Sequence, residues 1–275
     1  MSKRFGCLFL LAVLPALAQM PTSMSDAEGI LAPRQHGPRK RFKPAPEFRV
    51  GGVTVSESIN WSGYAVTGSG FTNAKGSWIV PAVNCSQTPN TYSSFWVGID
   101  GWSSSTVEQT GTDSDCSGPT PNYYVWYEFY PKFSYLVPSV PVKPGDKMSA
   151  SVDFDGSAFT VSITNETTGL SFSKTERVGR AQRSSAEWIA EAPCCTNGGG
   201  ILPLSDFGTV DFGQKYTRIT DTNFAADSST SGLIGAFGSA VNESIMVDAN
   251  TGALEAMPSS LSSDGSSFTV KWASE

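Results

Sequence analysis

The sequence predicts an all-β fold, an antiparallel β-sandwich of two large sheets. Apolar and polar residues alternate in M-S-A-S-V-D-F (148–154), F-T-V-S-I-T (159–164) and F-T-V-K-W (268–272), which is the period of a strand with one buried face. Clusters of Gly, Ser, Thr and Asn recur at short intervals, and no helical stripe of useful length follows residue 51. Many short strands separated by turn residues are typical of a sandwich.

The individual elements follow from these patterns. The D-G at 155–156 predicts a hairpin between the first two strands. In 124–131, alternation puts bulky side chains on both faces, with one face formed by Tyr124, Trp126, Glu128 and Tyr130. In 95–101, Trp96, Gly98 and Asp100 share a face in the same way. Aromatic rings interleaved with carboxylates favour a binding cleft, although they could also cover the second side of a thick sandwich.

The chain divides into three parts. Residues 1–18 combine a basic start, an apolar run and a final A-L-A, which predicts a secretory signal peptide and an extracellular protein. No later stretch is apolar for the roughly 18 residues that a membrane span needs. A Pro-rich segment at 19–55 then leads into a single sandwich domain at 56–275, which we expect to be monomeric.

Charge differs sharply between the two ends of the chain. Residues 1–50 hold 8 Lys and Arg against 3 Asp and Glu, which leaves 11 basic and 22 acidic residues for 51–275. The basic segment, with R-K-R-F-K at 39–43, is either a disordered tail or a propeptide held on the acidic domain and released when acid neutralises its carboxylates. The acidic domain argues against nucleic acid as a partner, since phosphate would be repelled.

Four cysteines remain after Cys7 leaves with the signal peptide: Cys85, Cys116, Cys194 and Cys195. In an oxidising compartment they allow three pairings. Cys85 and Cys116 both lie in polar, turn-like stretches, and adjacent cysteines bond each other only with strain. We therefore predict a disulfide between Cys85 and Cys116 and leave the other two open. Without CxxC spacing or histidine partners, we expect no metal site and no cofactor.

The available chemistry is narrow. The only histidine, His36, lies in the basic segment, so the domain itself has none for Ser-His-Asp, Cys-His or H-E-x-x-H sites. The D-T-G, D-S-G and G-x-S-x-G signatures are absent as well. A hydrolase would have to use carboxylates and amides, and Glu187 and Glu191 share one face at a spacing of four residues.

Five ordered segments resemble the glutamic peptidases, also called eqolisins. They are N-W-S-G-Y-A (60–65), W-V-G-I-D-G (96–101), E-Q-T-G-T-D (108–113), W-Y-E-F-Y-P (126–131) and A-E-W-I-A-E (186–191). The resemblance implies a lectin-like sandwich, secretion as a proenzyme, and acid-acting cleavage of proteins. It assigns catalysis to Gln109 and Glu191, and Glu187 to a supporting position.

The resemblance also implies the walls of the cleft. It puts Trp96, Asp100, Asp113, Trp126 and Glu128 in or beside the substrate site. At Tyr124 this chain departs from the best-known fungal members, which have Asp before the Ala-Trp of that strand. Ionised Glu191 would activate a water, and Gln109 would orient that water and donate to the developing oxyanion.

Two other functions fit parts of the pattern. A glycoside hydrolase could use Glu128 and Glu191 as its carboxylate pair, although Gln109 would then have no role. A lectin-like module could stack its aromatic rings on sugars without any chemistry. Cleavage of the 39–43 region in the secreted protein would favour the peptidase, and its persistence would favour the binding module.

Overall fold

β-Strands make up nearly all of the regular structure in the computed structural model, which describes residues 29–43, 47–195 and 200–275. The signal peptide predicted at 1–18 lies outside these residues. The first strands are β1 (Arg34–Gln35), β2 (Phe48–Val50), β3 (Val53–Ser58), β4 (Trp61–Thr67), β5 (Asn73–Ile79), β6 (Ser94–Ile99), β7 (Val107–Ser117), β8 (Thr120–Tyr130) and β9 (Tyr135–Leu136).

The later elements are also short strands, with little helix between them. They are β10 (Lys147–Phe154), β11 (Phe159–Asn165), β12 (Leu170–Glu176), β13 (Ser185–Glu191), β14 (Cys194–Cys195), β15 (Thr209–Phe212), β16 (Phe224–Ala226), β17 (Ser231–Leu233), β18 (Val241–Val247), β19 (Leu254–Pro258) and β20 (Phe268–Trp272). The helices are α1 (Gln214–Thr217) and a 3-10 turn at Ile234–Ala240. The all-β prediction is confirmed.

Two layers of strands build the sandwich. In one layer the order is β9, β8, β7, β6, β13, β4, β18, β3 and β2. In the other, β12, β11, β10, β5, β15, β20 and β19 lie side by side, and β19 continues onto β18. Neighbours are antiparallel except β3 and β18, which run parallel. The hairpin predicted around 155–156 is formed by β10 and β11.

The core lies between the layers and follows the predicted alternation. Phe95 and Val97 of β6 pack in one apolar cluster with Met148 and Val152 of β10. Val125, Tyr127 and Phe129 of β8 join that cluster, whereas Trp126 belongs to a second cluster on the opposite face. That second face holds Trp61, Trp96, Trp102, Trp126 and Ile189. The bulky outer face is therefore a separate aromatic layer above the first sheet.

A disulfide joins Cys85 to Cys116, with Cα atoms 5.3 Å apart, which confirms that prediction. It ties the loop after β5 to the end of β7. Since β7 carries Gln109, the bond anchors one end of the strand on which the predicted catalytic amide lies.

Residues 29–43, hereafter the N-terminal segment, cross the aromatic face of the first sheet. Leu31 bridges to Tyr135, β1 pairs with β14, and Arg41 bridges to Ser58. The segment thus packs on the domain along its described length. Within the described ranges, no helix is long and apolar enough to cross a membrane.

Candidate active site

The register of five neighbouring strands arranges the predicted site residues in rows. One row across β4, β13, β6, β7 and β8 is Trp61, Glu191, Ser94, Asp113 and Tyr124. The row two residues along is Gly63, Ile189, Trp96, Gly111 and Trp126. The next is Ala65, Glu187, Gly98, Gln109 and Glu128. Because side chains alternate with period two, all three rows face the same side.

Two glycines make room for the Trp96 ring between these rows. A Cβ at Gly98 would lie 2.9 Å from Trp96 Cζ3 and 3.2 Å from Gln109 Cβ. A Cβ at Gly111 would lie 2.5 Å from Trp96 Cβ. Glycine at 98 therefore leaves room for the Trp96 ring beside Gln109 Cβ, and glycine at 111 lets β7 approach the Cβ of Trp96 closely.

Gln109 is fully buried and its amide points at a peptide group of the N-terminal segment. Its Nε2 donates to the carbonyl oxygen of His36 at 2.5 Å and to Glu128 Oε2 at 3.3 Å. Its Oε1 is buried without a hydrogen-bond partner in the described part of the chain. The side chain thus offers both a donor engaged with a peptide carbonyl and an unused acceptor.

His36 fills a closed pocket on this face. Its ring stacks on Trp126 with centroids 3.5 Å apart. Its Nε2 lies 3.1 Å from Asp113 Oδ1, and its Nδ1 lies 3.3 Å from Glu128 Oε2. The backbone N–H of His36 also donates to Glu128 Oε2 at 2.8 Å. Two carboxylates and an indole therefore enclose a ring that has no solvent exposure.

The charge on His36 is set by these carboxylates. Burial by itself lowers the pKa of the imidazole, but the charges and hydrogen bonds of Asp113 and Glu128 outweigh it and raise the pKa from 6.5 to about 10. The buried side chain is therefore an imidazolium at neutral pH. Burial raises the pKa of Glu128, and the same imidazolium offsets part of that rise.

Glu191 lies near the part of the N-terminal segment that follows His36, since both contact Asn60. Its Oε2 accepts from Trp96 Nε1 at 2.8 Å, and its Oε1 lies 3.5 Å from Asn60 Nδ2. Burial raises the pKa of Glu191 to about 8, which the charge of His36 and the Trp96 hydrogen bond offset only in part. With the segment in place, this carboxyl group is mostly protonated at neutral pH. In the described chain Gln109 and Glu191 share no hydrogen bond. Gln109 contacts the carbonyl of His36, and Glu191 contacts Asn60, which also binds the carbonyl of Pro38.

Tyr124 contacts the acidic side of the pocket. Its hydroxyl donates to Asp113 Oδ2 at 2.8 Å and to Asp115 Oδ2 at 2.9 Å. Burial, and then the neighbouring charge of Asp113, raise the pKa of Asp115 to about 8. Arg34 of the N-terminal segment lies 3.5 Å from Asp115 Oδ2. Tyr124 therefore positions the carboxylate that faces His36, in a place where the resemblance to fungal members leads us to expect Asp.

Asp100 and Glu187, the remaining predicted residues, do not contact the bound peptide carbonyl. The Asp100 carboxylate accepts backbone N–H groups of 182–184 at 2.7 to 2.9 Å, so it anchors that loop. Glu187 is fully buried, and neither of its carboxyl oxygens has a hydrogen-bond partner in the described chain. Burial raises its pKa well above the ordinary value, and the nearby charges of Asp100 and Glu108 add to the effect.

Sequence reasoning placed His36 outside the site, and the structure places it in the middle. The available signal was weak: His36 is the only histidine, in a basic segment that faces an acidic domain. Nothing in that pattern specifies which carboxylates it meets, since Asp113 and Glu128 are 77 and 92 residues away. Among the described residues, no group of three or more His, Cys, Asp or Glu side chains could hold a metal ion.

Comparison with known proteins adds the family. Residues 59–270 match the model of the peptidase A4 family. Aspergillopepsin-2 of Aspergillus niger is 28% identical over 232 residues, covering 75% of this chain and 82% of that protein. Scytalidopepsin B of Scytalidium lignicola is 30% identical over 232 residues, covering 78% of this chain and 84% of that protein.

A solved structure agrees with the fold. The crystal structure of scytalido-glutamic peptidase with a transition-state analogue inhibitor superposes with a TM-score of 0.65 at 23% identity, over 78% of this chain and 98% of that one. At this identity the superposition establishes the sandwich alone. Taken with the matched family model, which spans most of the domain that carries Gln109 and Glu191, it leads to one conclusion: the chain belongs to the peptidase A4 family, the glutamic peptidases or eqolisins.

Proposed function

We propose that this peptidase is a secreted endopeptidase that acts in acid through Gln109, Glu191 and an activated water. The observation that carries the proposal is the hydrogen bond from Gln109 Nε2 to a peptide carbonyl, 2.5 Å long. The same peptide passes Asn60, whose Nδ2 lies 3.5 Å from Glu191 Oε1. A substrate lying along the same path would have Gln109 at its carbonyl and Glu191 beside it.

The mechanism follows from what each side chain can donate and accept. Ionised Glu191 takes a proton from a water, whose oxygen attacks the carbonyl carbon. The Gln109 NH2 stabilises the oxyanion as it forms, and its otherwise unpartnered Oε1 can accept a hydrogen bond from the water. Glu191 then passes its proton to the leaving nitrogen. The amide stays neutral throughout, so Gln109 adds no second charge to the site.

Glu191 can be ionised in acid, and so act as a base there, only when water reaches the cleft. In the covered cleft, burial is the main reason why the pKa of Glu191 is about 8. Departure of the N-terminal segment would admit water, and we expect the pKa to return toward the reference value of about 4.3. A fraction of Glu191 would then be ionised near pH 4, where the acidic domain carries less charge.

The N-terminal segment supports the assignment of 19–55 as a propeptide. His36 occupies the pocket between Asp113 and Glu128, and its carbonyl occupies the Gln109 donor. No substrate could use that donor at the same time. Burial raises the pKa of Glu128, so acid that protonates this carboxylate removes a charge that attracts the imidazolium, which gives a physical reason for release at low pH.

The test is cleavage of an unfolded protein at about pH 3.5 and about pH 7, with pepstatin present, for wild type, Gln109→Leu and Glu191→Gln. We expect activity in acid alone and a loss of about 100-fold or more in each variant. Glu166→Gln, a substitution on the exposed turn after β11, serves as the matched control and should leave the rate unchanged. Retention of activity by either cleft variant would refute the proposed pair.

A further inference from the structure

One peptide bond of this chain already lies in the position of a substrate bond. Under the proposed function, Gln109 donates to the carbonyl of the bond to be cut. The carbonyl that it contacts, at 2.5 Å, is that of His36. The bond that follows this carbonyl joins His36 to Gly37.

The residues before this bond are held in an extended path. Arg34 and Gln35 pair with β14 in antiparallel register. The N–H of Ala32 donates to the carbonyl of Ser134 at 2.9 Å. The N–H of His36 donates to Glu128 at 2.8 Å. Such main-chain bonding to strand edges is the way extended peptides are recognised.

The residues after the bond are held as well, and they lie beside Glu191. The carbonyl of Pro38 accepts from Asn60 Nδ2 at 3.2 Å, and the N–H of Lys40 donates to Asn60 Oδ1 at 2.7 Å. The same Asn60 Nδ2 lies 3.5 Å from Glu191 Oε1. The N–H of Arg39 donates to the carbonyl of Gly101 at 3.1 Å. The chain therefore crosses the cleft from one side of the dyad to the other.

The side chain before the bond has a pocket of matching chemistry. The ring of His36 lies 6° from parallel to the Trp126 indole, and its two nitrogens face Asp113 and Glu128. A flat cation satisfies all three neighbours at once, through stacking and through charge. An aliphatic side chain of similar size would leave both carboxyl groups without that partner.

We propose that the His36–Gly37 bond is the site at which this enzyme cuts its own chain, and that the pocket of Asp113, Trp126 and Glu128 selects a flat cationic side chain before the cut bond. This inference rests on the proposed function and adds the bond and the substrate preference. Cleavage there would leave His36 in its pocket as a new C-terminal residue. Its binding to the domain would then no longer be supported by the contacts of the residues that follow it.

The reaction is a hydrolysis. The oxygen of water bonds to the carbonyl carbon of His36, and the bond from that carbon to the nitrogen of Gly37 breaks. One proton of the water reaches the Gly37 nitrogen through Glu191, and the other stays with the new carboxyl group. Water is the sole co-reactant.

The experiment is to bring the purified full chain to a series of pH values from about 3.5 to about 7 and to determine the new chain ends by mass spectrometry over time. The series is needed because Glu191 in the covered cleft, with a pKa of about 8, acts as a base only in the molecules in which it is ionised. We expect an N-terminus at Gly37 and a C-terminus at His36, and neither of them in Glu191→Gln. Processing at another bond, with His36–Gly37 intact, would overturn the inference.

Variants of the segment test the pocket. His36→Leu should slow this cut about tenfold or more, because it removes the cation. Gly37→Ala should still be cut, since its Cβ would lie 3.7 Å from Tyr130 Cε2, an ordinary contact. Arg41→Gln is the matched control, because within the described residues the ion pair of the exposed Arg41 side chain is with the exposed Glu47. Equal rates for wild type and His36→Leu would contradict the selection.

Synthetic peptides separate the pocket from the stability of the precursor. A peptide spanning residues 30–42 and its His36→Leu counterpart are mixed with acid-treated wild-type enzyme. We expect cleavage after His36 in the first and at least about tenfold less in the second. An enzyme that digests unfolded protein through Gln109 and Glu191 but leaves both peptides intact would sink this inference and leave the proposed function standing. Failure on every substrate would reject both.

Discussion

The imidazole of His36 lies flat against the indole of Trp126, with ring centroids 3.5 Å apart and planes 6° from parallel. This contact joins the basic N-terminal segment to the aromatic face of the acidic domain. Because Asp113 and Glu128 lie at the edges of the same ring, the stacked pair is also charged. One residue of the segment therefore combines stacking, charge and a main-chain hydrogen bond in a single pocket.

Because of His36, the free energy of unfolding of the full chain should fall as the pH rises above about 6.5. Its pKa is raised from 6.5 to about 10, so the charge contributes stability that is complete below about pH 6.5 and is lost as pH rises toward 10. His36→Gln should remove that slope, which amounts to about 1 kcal/mol per pH unit within this range. Thermal unfolding at several pH values above 6.5 measures it.

The difference between wild type and His36→Gln is the quantity to follow. Other groups facing the segment titrate in the same range: burial raises the pKa of Glu191 to about 8 and that of Asp115 to about 8. Their raised pKa values also reduce stability as pH rises, and both chains contain them. Parallel pH curves for the two chains would contradict the charge assigned to His36.

Gly98→Ala should reduce turnover more than stability. Its Cβ would lie 2.9 Å from Trp96 Cζ3 and 3.2 Å from Gln109 Cβ, and Trp96 holds Glu191. A small displacement of both side chains of the proposed pair, Gln109 and Glu191, should lower kcat by about 10- to 100-fold. Steady-state kinetics and a melting curve measure the two effects. Gly179→Ala, with nothing within 4 Å of its Cβ, should leave kcat unchanged.

Asp100→Asn tests whether Asp100 binds substrate or anchors a loop. The residue has a φ of 72°, which Asn tolerates well. The carboxylate accepts three backbone N–H groups, and an amide nitrogen would face some of these donors. We expect a loss of about 1–3 kcal/mol in the free energy of unfolding with KM unchanged. A raised KM at unchanged stability would support the substrate-binding assignment made from sequence.

Much of the cleft follows from alternation alone. Neighbouring side chains of a strand point to opposite faces. Because Phe95 and Val125 face the core between the layers, Trp96, Trp126 and Glu128 must lie on the other face of the sheet. Gln109 and Glu191 are different, because single polar residues on strands carry no mark of catalysis. They could be named only through the ordered motifs that resemble the glutamic peptidases.

The parts that sequence could not supply depend on distant contacts. The hydrogen bonds from the backbone of 182–184 to the Asp100 carboxylate could not be predicted, because they depend on where that distant loop lies in the fold. The position of His36 requires strands β7 and β8, more than 70 residues later in the chain. The resemblance to fungal members did not predict the partners of Tyr124. Its hydroxyl, on β8, donates to Asp113 and Asp115 of the neighbouring strand β7.

The Cys85–Cys116 bond should be worth a measurable share of the stability. It closes a loop of 31 residues, and such cross-links contribute about 2–4 kcal/mol. The double variant Cys85→Ser with Cys116→Ser should unfold at a lower denaturant concentration by a corresponding amount. Adding a reductant should shift the wild type toward the variant and leave the variant where it is. No difference between them would mean that the β7 end is held by packing alone.

The order in which strands pair has a consequence for synthesis. β18 lies between β3 and β4, and β20, the last strand, lies between β15 and β19. The first sheet is therefore complete only after β18 has been made, and the two layers are joined only after β19 and β20 have been made. A chain emerging amino end first carries the N-terminal segment from the outset, long before the sheet that carries Gln109 and Glu191 is complete. If the segment is the propeptide proposed above, the cleft is covered from the moment it forms.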